Sequence, residues 1–192
     1  MYFYLYLILD IYSRKIVGWE VEVEKSGEHG AALREGIARQ RQPLVLHADI
    51  GSPMKSATLL ATLQWLGVQP SHSRPRVSND NTYAECVFRT CMYRPDYPAD
   101  GFPSLDDARS WMLSFLTWYN TVHRHSGLSF VTPVQRHTQV AQTVMHNRVE
   151  VYEAARGRQP RRWSREIRDW SLPDSVWLDT VKQATPEMVK AA

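Results

Sequence analysis

Cysteine is nearly absent from this chain. Cys86 and Cys91 are the whole supply, too few and too close together for a disulfide framework or a four-ligand zinc site. A reduced, intracellular protein is the economical expectation. Long apolar runs are missing as well: the opening "MYFYLYLIL" stops at Asp10, far short of a membrane span. It also has neither the basic start nor the small-residue cleavage site of a signal peptide. No repeat and no low-complexity segment occurs, and no one sign of charge dominates. Twenty-three Lys and Arg face 20 Asp and Glu, for a net +3 and a pI near 8.9, a balance that permits a nucleic-acid partner without demanding one.

What is present is enough apolar material, 43% of 192 residues, for one real core with a small appendage. The aromatic and branched residues from Tyr2 to Leu9 predict a strand. "DIYSRK" predicts a turn, and "IVGWEVEV" from Ile16 to Val23 a second, antiparallel strand. A polar helix is expected from about Glu28 to Arg41 with Ser26 as its N-cap. The unalternating run Leu44 to His47 then reads as a strand buried on both faces. "MKSATLLATLQWLG" reads as a helix with Leu59, Leu60, Leu63 and Leu66 on one side and Gly67 as its stop. "SHSRPRVSNDN" reads as a mobile loop, followed by a helix starting near Asn81. After the turn-rich "YRPDYPADGFP", Ser104 and Asp107 fit a capping box at the head of "SLDDARSWMLSFLTWYN". The succession of hairpin, helix, strand and helices is that of an α/β layer fold.

Two acids stand out. Asp49, in "LHADIGSPM", ends the third strand, where functional groups of α/β sheets collect, and Gly51 lets the backbone turn just beyond it. Alone, a strand-ending Asp is more often a cap or turn former. Glu85, with 35 residues between it and Asp49, lies one turn inside the helix after the loop, where a lone glutamate is usually a solvated surface residue.

Together with their surroundings these residues mean more. "YLYLILDIYSRKIVGWEV", "LHADIGSPM", "SRPRVSNDNTYAECVFRT", "YRPDYP" and "WYNTVHRHSGLSFVTP" resemble, in order, the integrase core of bacterial insertion-sequence transposases, relatives of retroviral integrases. The likeness runs from Tyr2 to about Pro133, and weakly on to Trp163. It implies a ribonuclease-H-like mixed sheet flanked by helices over residues 1–135, with a helical segment and arginine-rich tail over 136–192. It also implies DNA as partner, transposon ends and target alike. Homo-multimers or pairing with a full-length transposase, and a bacterial, cytoplasmic, DNA-associated location without a membrane, go with that reading. The family binds two divalent metals, Mg2+ or Mn2+, through an Asp, Asp, Glu triad. Hard oxygen ligands suit such ions, and two ions about 3.5–4 Å apart activate the attacking oxygen and stabilise the leaving one.

By this resemblance Asp49 is the second acid and Glu85 the third, both catalytic and metal-binding. The first acid lies in the family ahead of the hairpin, in a Trp-Asp-Ile-Thr type motif that this sequence does not show. Asp10 heads the "DIYSR" turn and is expected to cap backbone amides there. Ile50 stands where the family usually has Asn, and Met92 where it usually has Lys or Arg. The expectation is therefore a truncated transposase core, or one whose start is assigned too far downstream, inactive in strand transfer as written. The alternative is a non-catalytic DNA-binding or multimerising remnant.

The remaining candidates are contacts to nucleic acid, each weighed against a solvated surface. Arg74 and Arg76 in the loop, Arg89 on the Glu85 helix, and Arg124 and His125 in "VHRHSGL" would touch phosphates, as would Arg161 and Arg162 in "RGRQPRRWSREIR". His47 is expected to pack in its strand or hydrogen-bond backbone rather than touch a metal. Trp118 and Tyr119 are expected in the core, and Trp163 and Trp170 as anchors of the tail.

Overall fold

The computed structural model describes residues 2–24, 45–49, 51–75 and 78–178. The predicted helix from Glu28 to Arg41, the N-cap Ser26, Ile50 and Arg76 lie outside the described residues. Strands β1 (Tyr4–Leu9) and β2 (Ile16–Glu22) form the expected antiparallel hairpin, with a register irregularity between Ile8 and Leu9. Its turn is built by Asp10. One carboxylate oxygen accepts the Tyr12 amide at 3.1 Å, and the other accepts the hydroxyl of wholly buried Ser13. Such local side-chain bonds are what makes Asp a turn former. The His137 ring comes from far along the chain to within 3.2 Å of the same carboxylate.

Strands β3 (Val45–Ala48) and β4 (Gln69–His72) run parallel, His47 beside Ser71. Helix α1 (Ala57–Trp65) makes the crossover. The Ser56 hydroxyl caps α1 by accepting the Leu59 amide, and Gly67, at φ 68°, ends it, a left-handed position that favours glycine. Leu59 and Leu63 are buried beneath it, whereas Leu60 is 38% exposed, so the apolar side of α1 is narrower than the four leucines suggested. Strand β4 takes Ser71 and His72 from the expected loop "SHSRPRVSNDN": "QPSH" has no branched residue and contains a proline, and among the described residues it pairs only with β3.

Helix α2 (Thr82–Met92) lies against β1, and α3 (Leu105–Thr121) against β2. Ser104 accepts the Asp107 amide at 3.1 Å, but Asp107 takes the Ser104 hydroxyl rather than its backbone amide, so the reciprocal capping box is half made. The complete box sits elsewhere, at Thr132 and Gln135, heading the short α4 (Pro133–His137). Helix α5 (Val140–Arg158) follows. Asn120, the last residue of "WYN", clamps both backbone groups of Ile16 at 3.0 Å. "YRPDYP" is also accounted for. Arg94 pairs with Asp96 and lies 4.1 Å over the Trp118 ring, while the Trp111 indole donates to the Asp96 carbonyl at 3.0 Å.

Three clusters of buried side chains hold these pieces. The largest joins Ile16 and Val21 of the hairpin to Val87 and Cys91 of α2 and to Met112, Phe115 and Tyr119 of α3, with Trp111 stacked on Phe115. A second joins Ile8 of β1 to Leu59, Leu63 and Val68, with Leu46 of β3 packed against it. A third unites Leu128 and Val131 with Ala141, Met145 and Trp170, so the described part of the tail is packed on the segment before it. Within the described residues, β1 pairs with β2 and β3 with β4, as two separate two-stranded sheets.

Candidate active site

Because β3 and β4 are parallel, their carboxyl ends open on the same edge. Asp49 emerges there, exposed. It accepts a 2.9 Å hydrogen bond from the Ser73 hydroxyl, just past the end of β4. Ser73 is buried and held in turn, its amide donating to the Ala48 carbonyl at 3.0 Å. His47 completes the local network, one ring nitrogen 3.0 Å from the Ser71 hydroxyl and the other 3.3 Å from that of Ser73. Its ring is thereby engaged with side chains of β4 and its edge rather than with backbone.

The chain then passes directly to a clasp. The Arg74 amide donates to Asp80 at 2.8 Å, and its guanidinium grips both carboxylate oxygens of the same residue at 3.0 and 2.7 Å. Those hydrogen bonds hold the buried Asp80 carboxyl down to about 2. By tying residue 74 to residue 80, the clasp sets where α2 begins. Glu85 lies in the first turn of α2, exposed, where the positive end of the helix dipole favours a carboxylate. Ser73 and Asp80 were not singled out from the sequence. The available signal was the Arg and Asp six residues apart in a segment read as mobile.

Asp49 and Glu85 supply carboxylate oxygens, the right donors for a hard divalent cation. Among the described residues, however, no group of three His, Cys, Asp or Glu side chains could hold a metal ion. The donor type therefore fits and the donor number falls short. Asp10 does not make up the difference, since its oxygens serve Tyr12, Ser13 and His137.

The cationic candidates are dispersed. Arg74 is engaged by Asp80. Arg89 is exposed, one turn beyond Glu85, with Tyr93 5.6 Å below its guanidinium, and Met92 beside it is exposed. Arg124 is exposed. His125 is half-buried, its Nδ1 accepting the Gly127 amide at 3.0 Å. Burial, then the charge of Arg14, pushes it down to about 4, leaving it uncharged at neutral pH. Arg161 and Arg162 lie exposed on the turn Pro160–Arg162. There Arg158, Arg162 and Trp163 line an open groove of about 530 Å³. The tail folds back through an Arg156–Glu166 ion pair and through Trp170, which is buried under the Arg148 and Arg168 guanidinia.

Among the described residues no helix is long and apolar enough to cross a membrane. Two integrase core domain models match the chain, over residues 1–78 and 66–133. The transposase for insertion sequence element IS904 of Lactococcus lactis subsp. lactis (strain IL1403) is 31% identical over 134 residues, covering 68% of this chain and 53% of the relative. A putative transposase for insertion sequence element IS986/IS6110 of Mycobacterium tuberculosis (strain CDC 1551 / Oshkosh) is 27% identical over 143 residues, covering 69% and 50%. The chain thus spans about half the length of the curated relatives it matches. Among solved structures, the simian T-cell lymphotropic virus intasome in complex with PP2A regulatory subunit B56 gamma aligns with a TM-score of 0.55 at 17% identity, over 69% of this chain and 47% of that one. The catalytic core domain of BIV integrase aligns at 0.50 and 19%, over 72% and 88%. These structures share the ribonuclease-H-like fold, and the two matched models, together spanning residues 1–133, with the transposase relatives establish that the chain belongs to the integrase core family of insertion-sequence transposases.

Proposed function

We propose that this chain is the DNA-holding portion of a transposase catalytic core, contributing Asp49 and Glu85 to metal-dependent strand transfer. The observation that carries the reading is the mounting of these two acids. Asp49 is fixed by Ser73 at the carboxyl edge of the parallel pair, and the Arg74–Asp80 clasp leads straight into the helix that bears Glu85. Both carboxylates face solvent, free to take a hard cation and a phosphate. When bound, Mg2+ or Mn2+ would activate the attacking oxygen and stabilise the leaving one. The residues themselves fix where the negative charge sits, with Ser73 holding Asp49 Oδ1.

In this reading the chain as given does not complete strand transfer. This reading assigns two of the family's three acids, Asp49 and Glu85, and leaves Asp10 to its turn. DNA, as transposon end and as target, is the partner, bound in a multimer. Arg89, Arg124, Arg161 and Arg162 supply sequence-independent phosphate contacts, and Arg74, next to Ser73, borders Asp49. The test is a joining assay with Mn2+ and a pre-cleaved transposon end. The 192-residue chain is compared with a version extended upstream to include a Trp-Asp-Ile-Thr-like strand. The short chain should bind duplex DNA, weakening steeply with salt, and should not join. The extended chain should join, and Asp49→Asn or Glu85→Gln should abolish joining while leaving DNA binding intact. Joining that survives either substitution overturns the assignment.

A further inference from the structure

Among the described residues Arg14 is a cation without an anion. It stands in the turn between β1 and β2 at φ 61°, in the left-handed region, where a side chain that is not glycine is held at a cost. Its guanidinium is half-buried, and burial lowers its pKa. It makes no ion pair and no hydrogen bond with any described residue. Its contact is the face of Tyr83, 3.7 Å from the ring centroid. Among the described residues, Tyr83, Tyr119 and Cys86 act on its charge. Tyr119 is itself pushed up to about 12 by burial, so it stays neutral. A buried charge is ordinarily paired, and stacking on an aromatic face leaves the in-plane N–H donors of the guanidinium unused.

Those donors look onto the turn after Arg124. A methyl group at Gly127 would lie 4.0 Å from an Arg14 terminal nitrogen and 3.3 Å from the His125 ring. Guanidinium and imidazole therefore flank the space beside the Cα of Gly127, the imidazole closely. His125 already accepts the Gly127 amide through Nδ1, so its proton is on Nε2, as a donor. Ser126 and Gly127 are exposed, which opens the space to solvent.

We infer that Arg14, stacked on Tyr83 beside the His125–Gly127 turn, is an anion site that takes a backbone phosphate of bound DNA. This deepens the DNA-binding reading above and rests on it. Tyr83 and Glu85 are two positions apart on α2 and so do not share a face. The phosphate is accordingly one that flanks the reacting centre rather than the one that reacts. Fixing it would set the register of the strand relative to Glu85, which is the usual work of phosphate contacts.

The test compares the salt dependence of duplex binding in the whole chain and three variants. Arg14→Gln removes the cation. Gly127→Asp supplies a carboxylate beside the guanidinium, and Ser126→Asp makes the same charge change one residue away. Arg14→Gln and Gly127→Asp should each lower the slope of log K against log salt by about one contact, roughly 0.9. Ser126→Asp should lower it by less, and the slope of Gly127→Asp, whose Cβ would lie 3.3 Å from the His125 ring, is read at a temperature where circular dichroism shows it folded. A slope unchanged in Arg14→Gln, with only a lower melting temperature, means that Arg14 merely props the hairpin on α2, and overturns the inference. If the parent chain binds no duplex at low salt, the DNA-binding reading fails instead. Inorganic phosphate then decides the site. At constant ionic strength phosphate should raise the melting temperature of the parent but not of Arg14→Gln, and no difference from chloride overturns it.

Discussion

Replacing Asp10 separates a structural acid from a catalytic one. In Asp10→Ala the Tyr12 amide and the Ser13 hydroxyl lose their acceptor, and the His137 ring loses its carboxylate. Hydrogen bonds to a charged group contribute about 1.5–3 kcal/mol, and at this half-buried position the lower figure applies. Ser13 is wholly buried, but keeps His137 at 3.3 Å and the Lys15 amide at 3.3 Å as weaker partners. The combined loss is about 2–4 kcal/mol, set against a total stability of about 5–15. For a chain of this size that lowers the melting temperature by roughly 5–15 °C. Asp10→Asn still offers Tyr12 an acceptor but turns a donor toward Ser13, so it should fall between the parent and Asp10→Ala. Urea unfolding followed by circular dichroism measures both. An unchanged midpoint in Asp10→Ala would refute the turn-building role. Full stability in Asp10→Asn with joining lost in the upstream-extended chain would move Asp10 to the reacting centre.

Two pH effects have definite signs. The Asp80 carboxyl sits at about 2 in the fold against an ordinary 3.8, so its contribution is complete above about pH 4 and is lost as pH falls toward 2; acid unfolding of Asp80→Asn should lack that part of the profile. His125 sits at about 4 against 6.5, so the unfolded chain takes its proton first and stability declines as pH drops from about 6.5 to 4, a slope that His125→Gln should flatten. Asp49→Asn should leave the melting temperature nearly unchanged, because its one hydrogen bond to Ser73 survives with an amide oxygen, while removing a metal-induced shift in melting. Trp170→Ala should cost about 3–5 kcal/mol and speed proteolytic cleavage between Gln159 and Trp177, since the indole fills the cluster made by Leu128, Val131, Ala141 and Met145.

The hairpin, α1, α2 and α3 were legible because each couples an apolar pattern to a punctuating residue: Asp10, Ser56 with Gly67, Asn81 and Ser104. Strand boundaries moved by one or two residues, as from Tyr2 to Tyr4 at the start of β1. What stayed hidden depends on residues brought together by tertiary structure. Strand β4 has no strand-like composition and exists because β3 lies beside it. The Arg74–Asp80 clasp looks in sequence like two unrelated charges in a loop. Arg14 and Tyr83 meet across 69 positions. For the candidate site, family motifs located Asp49 and Glu85, while the groups that mount them, Ser73 and Asp80, required the geometry.

The two small sheets have a mechanical consequence. Ile8 of β1 and Leu46 of β3 belong to one apolar cluster, yet their strands share no ladder among the described residues. Backbone hydrogen bonds fix register to a fraction of an ångström, whereas contacts between aliphatic side chains resist separation and tolerate sliding. Among the described residues, then, the hairpin and the parallel pair meet through aliphatic packing, and a substitution that shrinks Ile8 or Leu46 should loosen that contact without breaking a backbone bond.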